Sequence, residues 1–208
     1  MKELDILTWN RKEHFEFFRQ FSDPYFGVTV EVDVTKAYQF AKKKNYSFFV
    51  VYLHACMKAI NTVENFKYRI KDDKVVVHDV VHASATILRP NNTFGFSFIH
   101  FSEDFIVFNQ HFLAEKKRIF NSTNLFPPTN SEDCVYCSAM PWIHFTGHKE
   151  PLTGFAVESV PKLAFSKFKD ENGTLLMPVS IKVNHALMDG YHVGMFFKNF
   201  QAELDKLT

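Results

Sequence analysis

The run Ser47 to Val63 carries apolar residues around most of the circumference a helix would present. A helix apolar on nearly every side cannot face water, so the fold must bury that segment. From Phe26 to Val34 the period changes to two. Phe26, Val28, Val30, Val32 and Val34 fall on one face and Gly27, Thr29, Glu31 and Asp33 on the other, which is the alternation of a strand. With 208 residues, 46% of them hydrophobic, the chain is long enough for a sizeable core and short for two, so residues 1–208 are expected to form a single domain.

Asn10 followed by Glu13 predicts a capping-box start to a helix bearing Phe15, Phe18 and Phe21, stopped by Ser22-Asp23-Pro24. Thr35 is expected to cap a short helix that ends in Lys42 to Lys44. Lys67–Ile70 and Lys74–His78 read as a hairpin, and Ser84–Leu88 and Thr93–His100 as a second pair joined by Arg89-Pro90-Asn91-Asn92. Ser102, with Glu103 and Asp104 behind it, opens a long helix striped by Phe105, Phe108, Phe112 and Ile119. After the loop 121–133, strands are expected at Cys134–Met140, Trp142–Thr146, Leu163–Phe168 and Leu175–Val183. A last helix runs from about Tyr191 to Leu207, its core face marked by Val193, Phe196, Phe197, Phe200 and Leu204.

Composition excludes several classes. Lys and Arg number 24 against 23 Asp and Glu, a net charge of +1, so no overall field favours a nucleic-acid partner. Met1-Lys2-Glu3-Leu4-Asp5 has no apolar core of a secretory signal. The longest uncharged apolar stretch, Ser47 to Met57, is about half of the ~20 residues a membrane span needs. No membrane association is expected, and the protein is read as cytoplasmic. Cys56, Cys134 and Cys137 are an odd set in such a chain and fit reduced thiols. The 25 phenylalanines must be buried in a core, a pocket or a subunit interface.

The strongest chemical signal is Val183-Asn184-His185-Ala186-Leu187-Met188-Asp189-Gly190, placed where a long strand ends and the last helix begins. A side chain at such a strand mouth is fixed by the scaffold and open to a ligand. Imidazole titrates near neutral pH and can take a proton from a hydroxyl or thiol as that group attacks a carbonyl. Asp189, followed by a glycine that permits a tight turn, could brace the site; a lone His before a turn can equally be a structural residue.

The string resembles the His-xxx-Asp-Gly signature of CoA-dependent acyltransferases of the chloramphenicol acetyltransferase family and of dihydrolipoyl acyltransferase catalytic domains. The resemblance to the former covers essentially the whole chain. Trp9-Asn10-Arg11-Lys12-Glu13-His14-Phe15 is similar to that family's opening, and Ile70-Lys71-Asp72-Asp73, Leu125-Phe126-Pro127, Met140-Pro141-Trp142 and Val193 follow in the family's order. The resemblance implies an α/β two-layer sandwich, a mixed sheet with helices on one face, assembled as a homotrimer with active sites between subunits. It implies acetyl-CoA as cosubstrate, a small hydroxylated acceptor such as chloramphenicol, and His185 as the general base; no metal is expected. Asp189 and Arg11 would pair to hold the loop that carries the base. Tyr25, Phe26, Val28 and Phe94 would lie at the acceptor, with Phe96 added from strand alternation, in a pocket expected to be apolar.

Two departures accompany these matches. Gly147 stands where the family has a serine that helps hold the oxyanion, and Ala164 where it has a threonine supporting an oxyanion-bound water. Losing one oxyanion donor costs about 2.7–4 kcal/mol in the barrier. His144 and His148 flank Gly147 and are candidates to replace the lost donor. Asn184 takes the place of the first His of a usual tandem pair. A catalytically silent, ligand-binding trimer is therefore the competing expectation, and a dihydrolipoyl acyltransferase core is disfavoured because no lipoyl-type domain precedes the motif. Cys134, Cys137, His144 and His148 supply zinc-type ligands, but six residues separate Cys137 from His144 where finger-like sites use about twelve, and the segment reads as strand.

Overall fold

The computed structural model describes residues 1–129, 131–151 and 158–208. The chain opens with the short strand Lys2–Glu3 (β1), the helix Lys12–Phe18 (α1) and the strand Tyr25–Asp33 (β2). Helices Thr35–Lys44 (α2) and Phe48–Thr62 (α3) lead into the hairpin Tyr68–Lys71 (β3) and Lys74–Val77 (β4). His82–Leu88 (β5), Phe94–Phe96 (β6) and the helix Phe105–Phe120 (α4) follow. Cys134–Met140 (β7), Lys162–Ser166 (β8), Lys169–Glu171 (β9), Thr174–Asn184 (β10) and Gly190–Asp205 (α5) complete the described elements.

The main sheet has the order β2-β10-β8-β7-β5-β6, with β9 paired to β10. β5, β7 and β8 are mutually parallel, while β2, β6 and β9 pair antiparallel with their neighbours, so the sheet is mixed. A smaller sheet, β1-β4-β3, stands apart from it. Residues opposite one another across a ladder share a face. Val32, Ala83, Ala85, Val135, Cys137, Leu163, Phe165, Val179 and Ile181 turn into one core with α2, α3, α4 and α5, so the helices form a second layer on one face. In α3 every residue from Val50 to Ile60 except Lys58 is buried, as the all-round apolar run requires. Leu53, wholly inaccessible, would cost about 2–5 kcal/mol on truncation to Ala.

Several local expectations are corrected. Asn10 does not cap α1, whose first turn has no side-chain cap bond. Thr35 is the first residue of α2, whose N-cap position is Val34 with no side-chain cap bond; just ahead of it, Asp33 Oδ1 accepts from Thr35 N at 2.9 Å and Thr35 Oγ1 at 2.6 Å. Asp104, not Ser102, caps α4 through Ile106 N and Val107 N. Trp142–Thr146 is not a strand: Pro141 has no N–H to offer a ladder, and the chain turns there with Ile143 N bonded to Met140 O at 3.2 Å. Gly190 begins α5 without positive φ, so it does not serve a tight turn.

Candidate active site

The segment after β10 is pinned from three directions. Asn184 Oδ1 accepts from Ala186 N at 2.9 Å, and its Nδ2 donates to Glu158 O at 2.9 Å. His185 N donates to Pro24 O at 2.8 Å, tying the motif to the start of β2. Ala186 and Leu187 are buried with Phe15 of α1 and with Tyr68, Ile70, Val75 and Val77 of the small sheet, and Asn65 Nδ2 donates to Leu187 O at 2.9 Å. The small sheet therefore acts as a floor under the loop.

That arrangement leaves the half-buried ring of His185 packed against two aromatic rings. Phe18 stacks on it in parallel, centroids 3.9 Å apart, and Phe26 lies tilted at 4.6 Å. Its Nδ1 is buried with no hydrogen-bond partner among the described residues. Packing, not hydrogen bonding, sets the ring's orientation. Phe18 had no separate signal in the sequence, where it reads as one more core position of an amphipathic helix.

Arg11 Nη1 donates to Asp189 Oδ2 at 2.6 Å, and Arg11 Nη2 donates to His185 O at 3.4 Å. One buried guanidinium thus joins the carboxylate to the backbone of the residue four positions before it. Asp189 also caps α5, accepting from Tyr191 N at 3.0 Å, while its own N donates to His192 Nδ1 at 3.2 Å in a capping box. Partial burial pushes the Asp189 carboxyl pKa up, but the hydrogen bond from Arg11, with His192 and Tyr191 N, more than offsets this and holds it below the usual carboxylate range.

The remaining sequence candidates are spread over the sheet. Tyr25 lies on the face away from the helices, its hydroxyl donating to Val160 O at 3.1 Å. Val28 is exposed on β2, one edge of the sheet. Phe94 and Phe96 lie on β6, the opposite edge, their rings 5.4 Å apart. One protomer therefore does not bring the acceptor candidates together. A Cβ built on Gly147 meets nothing within 4 Å, so the position is open. His144 Nδ1 lies 3.0 Å from Lys167 O and Nε2 3.9 Å from Glu31 Oε1. Glu31 pairs with Pro178, six residues before Asn184 on β10, so His144 stands roughly 20 Å along the sheet from its own His185. His148 Nδ1 is 3.8 Å from Glu150 Oε1. Ala164 is buried on β8 beside Ser138 of β7 and Ser180 of β10.

Cys134 and Cys137 are free thiols three positions apart on β7, so they point to opposite faces of the sheet. Among the described residues no group of three His, Cys, Asp or Glu is placed to hold a metal ion, and no helix is long and apolar enough to cross a membrane.

A cavity of about 570 Å³ lies at the other end of the sheet from His185. Phe48, Phe49, Trp142 and Phe168 line it, with Lys116 and Lys167.

A two-layer mixed-sheet fold with a His-xxx-Asp-Gly corner between the last long strand and the last helix defines the class of CoA-dependent acyltransferases. A family model described as chloramphenicol acetyltransferase matches residues 1–201. Chloramphenicol acetyltransferase 3 of Escherichia coli is 30% identical over 201 residues, covering 96% of this chain and 94% of that protein. The chloramphenicol acetyltransferase of Bacillus pumilus is 30% identical over 197 residues, covering 94% and 89%. A solved chloramphenicol acetyltransferase superposes with a TM-score of 0.87 at 29% identity, over 98% of this chain and 99% of that one. The dihydrolipoamide acetyltransferase of Azotobacter vinelandii, at TM-score 0.70 and 15% identity, shares the fold. The chain belongs to the chloramphenicol acetyltransferase family, whose members take their acetyl group from acetyl-CoA.

Proposed function

We propose that this chain transfers the acetyl group of acetyl-CoA to a hydroxyl of a small acceptor, chloramphenicol or a related molecule, by direct attack within a ternary complex. The observation that carries the reading is the His185 ring, held by Phe18 and Phe26 at a strand end, its buried Nδ1 without a hydrogen-bond partner among the described residues. His185 accepts the hydroxyl proton as the oxygen bonds to the thioester carbonyl carbon. The tetrahedral intermediate collapses, the C–S bond breaks, and the departing thiolate takes the proton back from the imidazolium. Arg11 and Asp189 hold the loop, and neither meets the reacting atoms.

The cavity suits the nucleotide end of CoA. Its aromatic walls offer a surface for adenine, and Lys116 and Lys167 offer positive charge for phosphate. Met177, which lines it, precedes His185 by eight residues along β10, roughly 26 Å of strand. The site is therefore read as shared between neighbouring subunits of a homotrimer. The exposed apolar residues on both sheet edges, Val28 and Val30 on β2 and Phe94 on β6, support that assembly.

Gly147 and Ala164 favour a second reading, a trimer that binds these ligands without turnover. Release of free CoA from acetyl-CoA, followed with a thiol reagent with and without chloramphenicol, separates the two. Acceptor-dependent thiol release supports transfer. Calorimetric binding of CoA without any release supports the silent homologue.

A further inference from the structure

The face of the sheet away from the helices carries buried charge beside the strand end that presents His185. Lys162 of β8 is 6% exposed; its Nζ lies 2.6 Å from Glu158 Oε2, donates to Pro151 O at 3.1 Å and stands 5.5 Å from the Tyr25 ring centroid. Lys182 of β10 is its direct cross-strand partner and has no ion pair among the described residues. Its stem crosses β2 over Gly27, where a Cβ would come within 2.8 Å of Lys182 Cγ and 2.9 Å of Ile181 O. Glycine at that position is what gives the side chain its path.

Glu150 completes the group. Its Oε1 is 3.8 Å from His148 Nδ1, and its Oε2 is buried without a hydrogen-bond partner among the described residues. Burial raises the Glu150 carboxyl pKa, against the pull of Lys162 and Lys182, and burial, with Lys182, lowers that of His148. The cluster is wired to the base. Asn184, immediately before His185, donates to Glu158 O, and Tyr25 follows Pro24, whose carbonyl accepts from His185 N.

Withdrawing ammonium and carboxylate groups from water is costly unless they are paired or find polar partners. Lys162 is buried and Glu150, Glu158 and Lys182 are half-buried, and a surface meant for a flat apolar ring would gain nothing from four such groups. An acceptor with net charge of either sign would meet a like charge in this mixed cluster. Hydroxyl groups both donate and accept, so several of them on one neutral molecule can serve Glu150 Oε2 and Lys182 Nζ together.

Resting on the acyl-transfer reading above, we propose that Lys162, Lys182, Glu150 and Glu158 determine acceptor specificity, and that the preferred acceptor is a neutral, polyhydroxylated, sugar-like compound in place of an aromatic one. A site built to hydrogen-bond hydroxyls discriminates strongly against analogues that lack them.

The test measures kcat/KM for acetyl transfer to glucose, sucrose, trehalose and chloramphenicol, as separate acceptors, with the full chain and with its Lys182→Met and Glu150→Gln variants. Lys162 is left in place because its burial ties it to folding. The expected result is a best sugar at least about tenfold ahead of chloramphenicol, with each substitution lowering the sugar-to-chloramphenicol ratio by about tenfold. A preference for chloramphenicol, or variants that lower both acceptors alike, overturns the specificity assignment while acyl transfer stands. Transfer to no acceptor overturns acyl transfer as well.

Discussion

Phe18 lies parallel to His185, the two planes 6° apart and the ring centroids separated by 3.9 Å. Because the buried Nδ1 of the imidazole has no hydrogen-bond partner among the described residues, this contact and the tilted Phe26 ring are what orient the His185 ring. Replacing Phe18 by Ala should lower kcat by roughly 10- to 100-fold, the penalty typical of a misplaced catalytic group. Phe18→Tyr, which keeps the stack, should stay within a few-fold of the native rate. Steady-state kinetics on both variants, with KM for acetyl-CoA largely unchanged in each, is the check.

Arg11 and Asp189 form the ion pair that closes the loop behind His185. Removing Arg11 leaves a carboxylate without its main partner, so Arg11→Ala is expected to lower both thermal stability and kcat. The folded-state pKa of Asp189 is depressed. Its contribution is therefore fully present above the unfolded carboxylate pKa of about 3.9 and is lost as the pH falls through the folded value. Urea midpoints of the native chain and of Asp189→Asn, measured from pH 7 downward, should differ by a constant amount above about pH 5 and converge below about pH 4. A gap that persists unchanged to pH 3 would show that the carboxylate charge contributes nothing.

Gly147 has open space where a Cβ would stand. Gly147→Ser can therefore be accommodated without displacing a neighbour. If the missing hydroxyl limits turnover, kcat should rise, by up to roughly 10²-fold, the lower end of what one oxyanion donor is worth. An unchanged kcat would mean that another group already holds the oxyanion.

Much of the fold was legible in the sequence because its periods are unmistakable: β2 alternates without a break, and α3 is apolar on all sides. Trp142–Thr146 misled because its composition imitates a strand, whereas Pro141 denies it a ladder. Capping misled because Asp, Ser, Thr and Asn carry the same kind of acceptor, and only the backbone decides which one reaches the free N–H groups. At the site, the His185, Asp189 and Arg11 positions were marked by motif and resemblance. Phe18 could not be told from the other phenylalanines, since what distinguishes it is the ring it faces. The charged face was hidden for another reason: Glu150, Glu158, Lys162 and Lys182 are scattered along the chain and look like ordinary solvated residues until the sheet brings them together.

The most direct test of the account is the rate of CoA release from acetyl-CoA, in the presence of a hydroxylated acceptor, for the native chain and for His185→Ala at equal concentrations. General-base loss predicts a fall of about 10²-fold or more with the oligomeric state unchanged by light scattering. Equal rates in the two proteins would contradict the assignment of His185 as the base.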